Sequence, residues 1–287
     1  MRSETFQTPT AVRLEIRNGA GEVRLDAVPE QETTVVLEPQ RDNEASIAAV
    51  RTARIELHER ADGHDIVVDV RGARRFFRGA EVLVRVTCPT ESSAEVHTGS
   101  ADIEGRGVFK RVDVETGSGD VRFGDVSGEA EVSAASGDVE IELVGATARL
   151  NTASGDVRVG LVGGDGRINT ASGDVVVRTA GGRLEVNTAS GDVEVKEALA
   201  SVSVNTASGD QQIGSVFHDI VNLRSASGDL RVGIKQGSRL FVDARSRSGD
   251  VTSELPVSDV PPEGDAPLVE LRANTMSGDV TVVRAGA

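Results

Sequence analysis

Hydrophobic and polar residues alternate along most of this chain, in short runs rich in Val, Ile and Leu. Period-two alternation over four to eight residues is the pattern of half-buried β-strands. The runs come in pairs, and the pairs recur. Counted from the Asp of each Ser-Gly-Asp, the next position holds Val121, Val139, Val157, Val175 and Val193. Two residues further on stand Phe123, Ile141, Val159, Val177 and Val195. Upstream of the turn, another apolar column reads Val114, Val132, Leu150, Ile168, Val186 and Val204. Polar or charged residues fill the places between.

The spacing is fixed. The string Asn-Thr-Ala-Ser-Gly-Asp occurs at residues 151–156, 169–174, 187–192 and 205–210, and looser copies end at Asp102, Asp120, Asp138, Asp229, Asp250 and Asp279. From Asp102 to Asp210 the step is 18 residues every time, and the later steps are 19, 21 and 29. Such a period defines the architecture. Each unit reads strand, turn, strand, turn. Gly in Ser-Gly-Asp supplies a positive φ, and the flanking Ser and Asp bond nearby backbone groups. One two-strand unit cannot bury its apolar face alone, so units must stack, each strand pairing with its copies on either side. The predicted fold is all-β: a single-chain parallel β-solenoid of two-strand coils. Roughly nine units rising about 4.8 Å each make a rod of about 40 Å. A helical repeat conflicts with the alternation, an α/β sheet has no room for its helices, and a propeller blade needs about 40 residues.

Both ends depart from the period. Residues 1–95 form an N-terminal β cap with degenerate first coils. Here Asn18-Gly19-Ala20-Gly21 looks like a worn copy of the repeat turn, and residues 43–50 form a short helix capped by Asp42 or Asn43. Residues 96–253 are the regular solenoid. Residues 254–287 hold a Pro-rich loop (Pro256, Pro261, Pro262, Pro267) and then the last coil, which closes the C-terminal end. The whole reads as one continuous domain.

Stacking turns each repeat position into a ladder. Asn151, Asn169, Asn187 and Asn205 are expected to bond one another along the axis. The Thr152, Thr170, Thr188 and Thr206 column turns inward, and a single Thr column does not make an ice-binding face. The Asp ladder is self-repelling, by roughly 1 kcal/mol per solvated pair, and each carboxylate is expected to offset this by capping N–H groups of its own turn. A row of cations would fall on Asp138, Asp156, Asp174, Asp192 and Asp210, but the doubled-glycine frame of calcium β-rolls is missing. No metal site and no cofactor is therefore expected. The outward columns mix signs and read as solvated sheet surface.

Charge and composition narrow the function. The net charge is −15, which repels phosphates and argues against nucleic acid as a partner. Aromatics are 2% of residues, with no Trp or Tyr, which removes stacking platforms for bases or sugar rings. The single cysteine, Cys88, reads as a small buried hydrophobe. No apolar run has signal-peptide length and none approaches 18 residues, so no transmembrane segment is expected and the chain reads as cytoplasmic. His58, His64, His97 and His218 are scattered, and no nucleophile, phosphate-loop or Cys-x-x-Cys motif is present. An enzyme is not expected, and no catalytic residue is assigned. One basic spot stands out on the acidic chain: Arg71, Arg74, Arg75 and Arg78 flank Phe76 and Phe77. These six residues are the candidate contact site for an acidic partner or anionic surface.

The Ser-Gly-Asp-Val units, following an N-terminal strand set with an Asn-Gly-x-Gly-x-Val turn, resemble a bacterial adhesin-type family with β-strand repeats, a domain of unknown function. The resemblance is best over residues 96–282. It implies a single-chain β-solenoid and brings no catalytic residue. The expected function is thus a non-enzymatic binding or scaffold protein with a protein or cell-surface partner. Two alternatives stay open: a self-associating structural solenoid resembling the bactofilins, and a calcium-binding β-roll.

Overall fold

The computed structural model of the protein describes residues 1–61, 63–70, 79–255 and 266–285. It is a parallel β-solenoid, nearly all strand, with one helix among the described residues. The chain divides into two compact units, Met1–Gly145 and Ala146–Ala287.

In chain order the first unit holds β1 (Arg2–Gln7), β2 (Val12–Val28), β3 (Glu32–Pro39), helix α1 (Glu44–Thr52), β4 (Arg54–Arg60), β5 (Gly63–Asp69), β6 (Val82–Pro89), β7 (Ser92–Ser118), β8 (Val121–Ser136) and β9 (Val139–Val144). Strand β2 is a coil in its own right, turning at Gly21, where φ is 119°. It lies between two others. On one side it pairs in parallel with β7, Glu15 opposite Glu95 and Glu22 opposite Asp102. On the other it pairs in parallel with β5 and β6, which together form one coil. The outer edge of that coil is covered by antiparallel strands, β4 on β5 and β3 on β6, and β1 pairs with β3. This is the expected cap. The helix also forms where expected. Asn43 is its N-cap, its side chain accepting the Ser46 N–H at 2.7 Å, which satisfies one of the orphan donors of the first turn.

The second unit holds β10 (Ala148–Ser154), β11 (Val157–Val162), β12 (Gly166–Ser172), β13 (Val175–Ala180), β14 (Leu184–Ser190), β15 (Val193–Ala198), β16 (Val202–Ser208), β17 (Gln211–Val216), β18 (Asp219–Ser227), β19 (Leu230–Ile234), β20 (Arg239–Ser248), β21 (Val251–Ser253), β22 (Leu268–Ser277) and β23 (Val280–Arg284). Register follows the repeat: Leu150 stands opposite Ile168 and Val157 opposite Val175. The alternate residues Leu150, Val157, Ile168 and Val175 are fully buried, each contributing about 1.5–3 kcal/mol relative to exposure. The first long step, from Asp210 to Asp229, adds one residue to the repeat. It is taken up between Val216 and Val221, at the start of β18, where Asp219 adopts a φ of 78°.

Sequence order is not stacking order. The last coil in the chain, β22 with β23, does not close the C-terminal end as expected. It pairs with β18 and β19 on one side and with β20 and β21 on the other. The outermost coil of this unit is therefore the internal segment 239–253. The N-terminal unit is arranged likewise, with β2 held between β7 and the later coil β5–β6. In both, the coil nearest the chain terminus is hydrogen-bonded along both edges, and an internal coil lies outside it.

Candidate functional site

The residue columns of the repeat place most of the chemistry-bearing side chains, and many of these turn out to be fasteners between coils. Asp174 Oδ1 accepts the backbone N–H of Asp192 at 2.9 Å, and Asp192 accepts that of Asp210 at 2.8 Å. Asp156 does the same for Asp174, and Asp120 for Asp138, at 3.0 and 3.1 Å. The partner is thus the N–H one coil on, not the turn the Asp belongs to, as sequence reasoning had it. Parallel stacking points each turn's N–H groups along the solenoid axis, so the neighbouring coil is the nearer acceptor. At two positions the second oxygen accepts from the Arg two residues on: Asp120 from Arg122 and Asp156 from Arg158, both at 2.7 Å. The Asp138 N–H, then burial and Arg122, act on Asp120, and the net effect lowers its pKa below the usual carboxylate value. The Asn ladder forms as expected, Asn169, Asn187 and Asn205 each donating to the preceding Asn oxygen at 2.8, 3.0 and 2.9 Å. Thr152, Thr170 and Thr188 turn inward and bond the carbonyl two residues on. Among the described residues no cluster of three or more His, Cys, Asp or Glu is arranged to hold a metal ion.

A different arrangement occupies the outward face of the first unit. On β2, β7 and β8 the repeat register brings acids into line: Glu15 beside Glu95, and Asp113 beside Glu131. Basic groups flank them. Arg13 Nη2 donates to Glu95 Oε2 at 2.5 Å and Arg111 Nη1 to Glu129 Oε2 at 2.9 Å. His97 bridges two carboxylates, Nε2 lying 3.1 Å from Glu95 Oε1 and Nδ1 3.0 Å from Glu115 Oε2. Glu95 is held below the usual range, first by the Arg13 hydrogen bond and then by His97. Asp113 is pushed the other way, by burial and by the Glu131 charge, with Arg111 opposing.

Beside these groups the surface is hollowed. In the column that carries Ala135, Ala153, Ala171, Ala189 and Ala207 further along the chain, β7 carries Gly99 and Gly117, and β2 carries Gly19. A methyl at Gly99 would lie 2.6 Å from the Gly19 carbonyl oxygen, and one at Gly117 the same distance from that of Gly99. The glycines floor an open trough of about 520 Å³, walled by His97, Glu115, Thr116 and Ser133. A smaller hollow of about 360 Å³ adjoins Arg13, Glu95, Arg111 and Asp113.

Sequence reading missed this site. It treated the outward columns as plain solvated surface and His97 as isolated. The signal was present in the switch from Ala to Gly in one repeat column, and in acids spaced 18 residues apart at 95, 113 and 131. The residues singled out instead, Arg71, Arg74, Arg75, Phe76, Phe77 and Arg78, lie outside the described residues. Cys88 is a buried small hydrophobe, as expected, burial pushing its thiol up to about 11. Among the described residues no helix is long and apolar enough to cross a membrane.

Solved structures match the chain at low identity. The chain is similar to a candidate cell adhesion protein from Clostridium sporogenes (8% identity, covering 99% of each chain, TM-score 0.28). It is also similar to a candidate adhesin from Parabacteroides merdae (10% identity, 97% of this chain and 95% of that one, TM-score 0.41). A third is a candidate lipid binding protein from Parabacteroides distasonis (11% identity, 97% and 96%, TM-score 0.43). No curated protein matches the sequence. The Toastrack DUF4097 family model matches residues 12–217 and again residues 183–283. Together the two matches span nearly all of the repeat, and the chain belongs to the Toastrack DUF4097 family.

Proposed function

We propose that this protein is a non-catalytic β-solenoid scaffold that binds a macromolecular partner on the grooved face of its N-terminal unit. The observation that carries the reading is the trough itself. Glycine replaces alanine in one repeat column and opens a hollow beside the His97 bridge. Elsewhere the same repeat positions are occupied by side chains that fasten one coil to the next. A carboxylate already accepting a backbone N–H along a regular ladder is poorly placed to act as an acid or base. The trough is open, lined by polar groups and acidic on balance, features that suit an extended basic segment of a partner better than a small molecule. The acidity of the chain as a whole favours the same sign of partner.

The test is site-specific photo-crosslinking in cells. A photoreactive residue at Glu115 reports on the trough, and one at Arg167, on the outward face of β12, serves as the control. A discrete heavier adduct from Glu115 alone, lost in an E95K/H97A background, is the expected result. Equal labelling at both positions, or adducts indifferent to those substitutions, would remove the trough as the binding face.

A further inference from the structure

We propose that two copies of this chain join through the outer edge of β20, antiparallel and about a twofold axis at Ala244. The proposal stands apart from partner binding at the trough. The outermost coil, β20 with β21, has ladder partners on one side only among the described residues, β22 and β23. Its core positions are correspondingly open. Leu223 and Ala273 are fully buried, whereas Ala244, next in the same row, is partly exposed. Val251, in register with the fully buried Val280 and Leu230, is 48% exposed. In the first unit the comparable outer coil, β5 with β6, is covered by β3 and β4.

Two of the usual guards against pairing are missing at this edge. Strand β20 contains no proline, and its charged residues point outward from the core, not into it. Those charges are ordered for self-pairing. Antiparallel alignment about Ala244 sets Asp243 of each copy opposite Arg245 of the other, and Phe241 opposite Arg247. Within one copy Arg245 Nε already lies 3.2 Å from Asp243 Oδ1. The twofold therefore makes an alternating square of two acids and two bases, each charge flanked by opposites. The Arg247–Phe241 pairs add cation–π contact. An isologous contact of this kind closes at two copies.

The measurement is solution mass by light scattering across a dilution series of the full chain, whose monomer is 30.0 kDa. Twice that mass is expected at high concentration. Asp243→Arg and Arg245→Asp each turn the square into like charges and should raise the dissociation constant at least about tenfold. The double swap D243R/R245D should restore the dimer. Both side chains are largely exposed, 47% and 78%, so neither single change threatens folding. An Ala244→Cys chain should form a disulfide-linked dimer under mild oxidant, with the native Cys88 buried and out of reach. A wild-type monomer at every concentration overturns the proposal. Growth past two copies, a dimer indifferent to both single swaps, or an Ala244→Cys chain that does not cross-link does so equally.

Discussion

Asp174 accepts the Asp192 backbone N–H at 2.9 Å, so a column of like charges is also a column of hydrogen bonds. The carboxylate serves the neighbouring coil and not its own. Charge repulsion between rungs costs roughly 1 kcal/mol in water, and a hydrogen bond to a charged acceptor offsets it by a similar or larger amount.

Asp174→Ala and Asp174→Asn separate these two contributions. The Ala change removes the acceptor and should destabilise the protein by about 1 kcal/mol in urea unfolding. The Asn change keeps an oxygen in place and removes one charge, so it should be close to neutral. Equal losses in the two variants would mean that charge, not the hydrogen bond, matters. Calcium and chelator should give the same melting temperature for the wild type.

Asp113 faces the opposite situation, and pH exposes it. Its folded pKa is raised by burial and by Glu131, so the ionised form is disfavoured in the folded state. The resulting penalty is fully present above the folded value and is gone below the unfolded value of about 3.9. Asp113→Asn should therefore stabilise the protein at pH 7, and the advantage should vanish on acidification towards pH 3.5. Glu95 and Asp120 have lowered values. Their contribution is present above the unfolded carboxylate range and is lost as pH falls through their folded values. Urea midpoints of wild type and Asp113→Asn across this range are the check, and an advantage that grows towards low pH would contradict the assignment.

Gly173 is constrained twice over. Its φ is 137°, and a methyl there would lie 2.2 Å from the Gly155 carbonyl oxygen. The neighbouring backbone is tied into the ladder, Gly173 N–H donating to the Ser190 carbonyl at 3.1 Å, so it cannot give way cheaply. Gly237 also has positive φ, 93°, but nothing within 4 Å of the added methyl. Gly237→Ala should cost about 1 kcal/mol of backbone strain, and Gly173→Ala clearly more. A melting temperature equally lowered in both would mean that crowding between turns is unimportant.

Most of the fold was legible because one physical requirement governs every coil. Apolar alternation fixed which side of each strand faces inward, and Ser-Gly-Asp fixed where the chain turns. The Asn43 helix cap was legible for the same local reason. The trough was harder, since Gly99 and Gly117 look like ordinary turn residues until the register places them in one column with Gly19. Least legible was the order of coils. Nothing in the spacing from Asp250 to Asp279 says that the later turn lies beneath the earlier one, because parallel ladders accept any coil of matching pattern. Loop length permits both orders, and Asp279 N–H reaches Asp229 Oδ1 at 2.8 Å, just as Asp250 N–H reaches Asp279.

That order is open to direct measurement by amide hydrogen exchange. Strand β22 is paired along both edges, to β18 and β20. Strand β20, although earlier in the chain, has a ladder along one edge among the described residues. Opening of an edge coil breaks one ladder, whereas opening of β22 breaks two, so residues 269–275 should exchange more slowly than residues 240–246. Dilute protein, below the dissociation midpoint of any dimer, keeps the β20 edge unpaired during labelling. A chain shortened before residue 266 should then lose protection across 240–253 as well, since β20 and β21 would be left without their ladder. If stacking followed sequence order, protection would decline steadily towards the C-terminus, and the shortened chain would keep 240–253 protected.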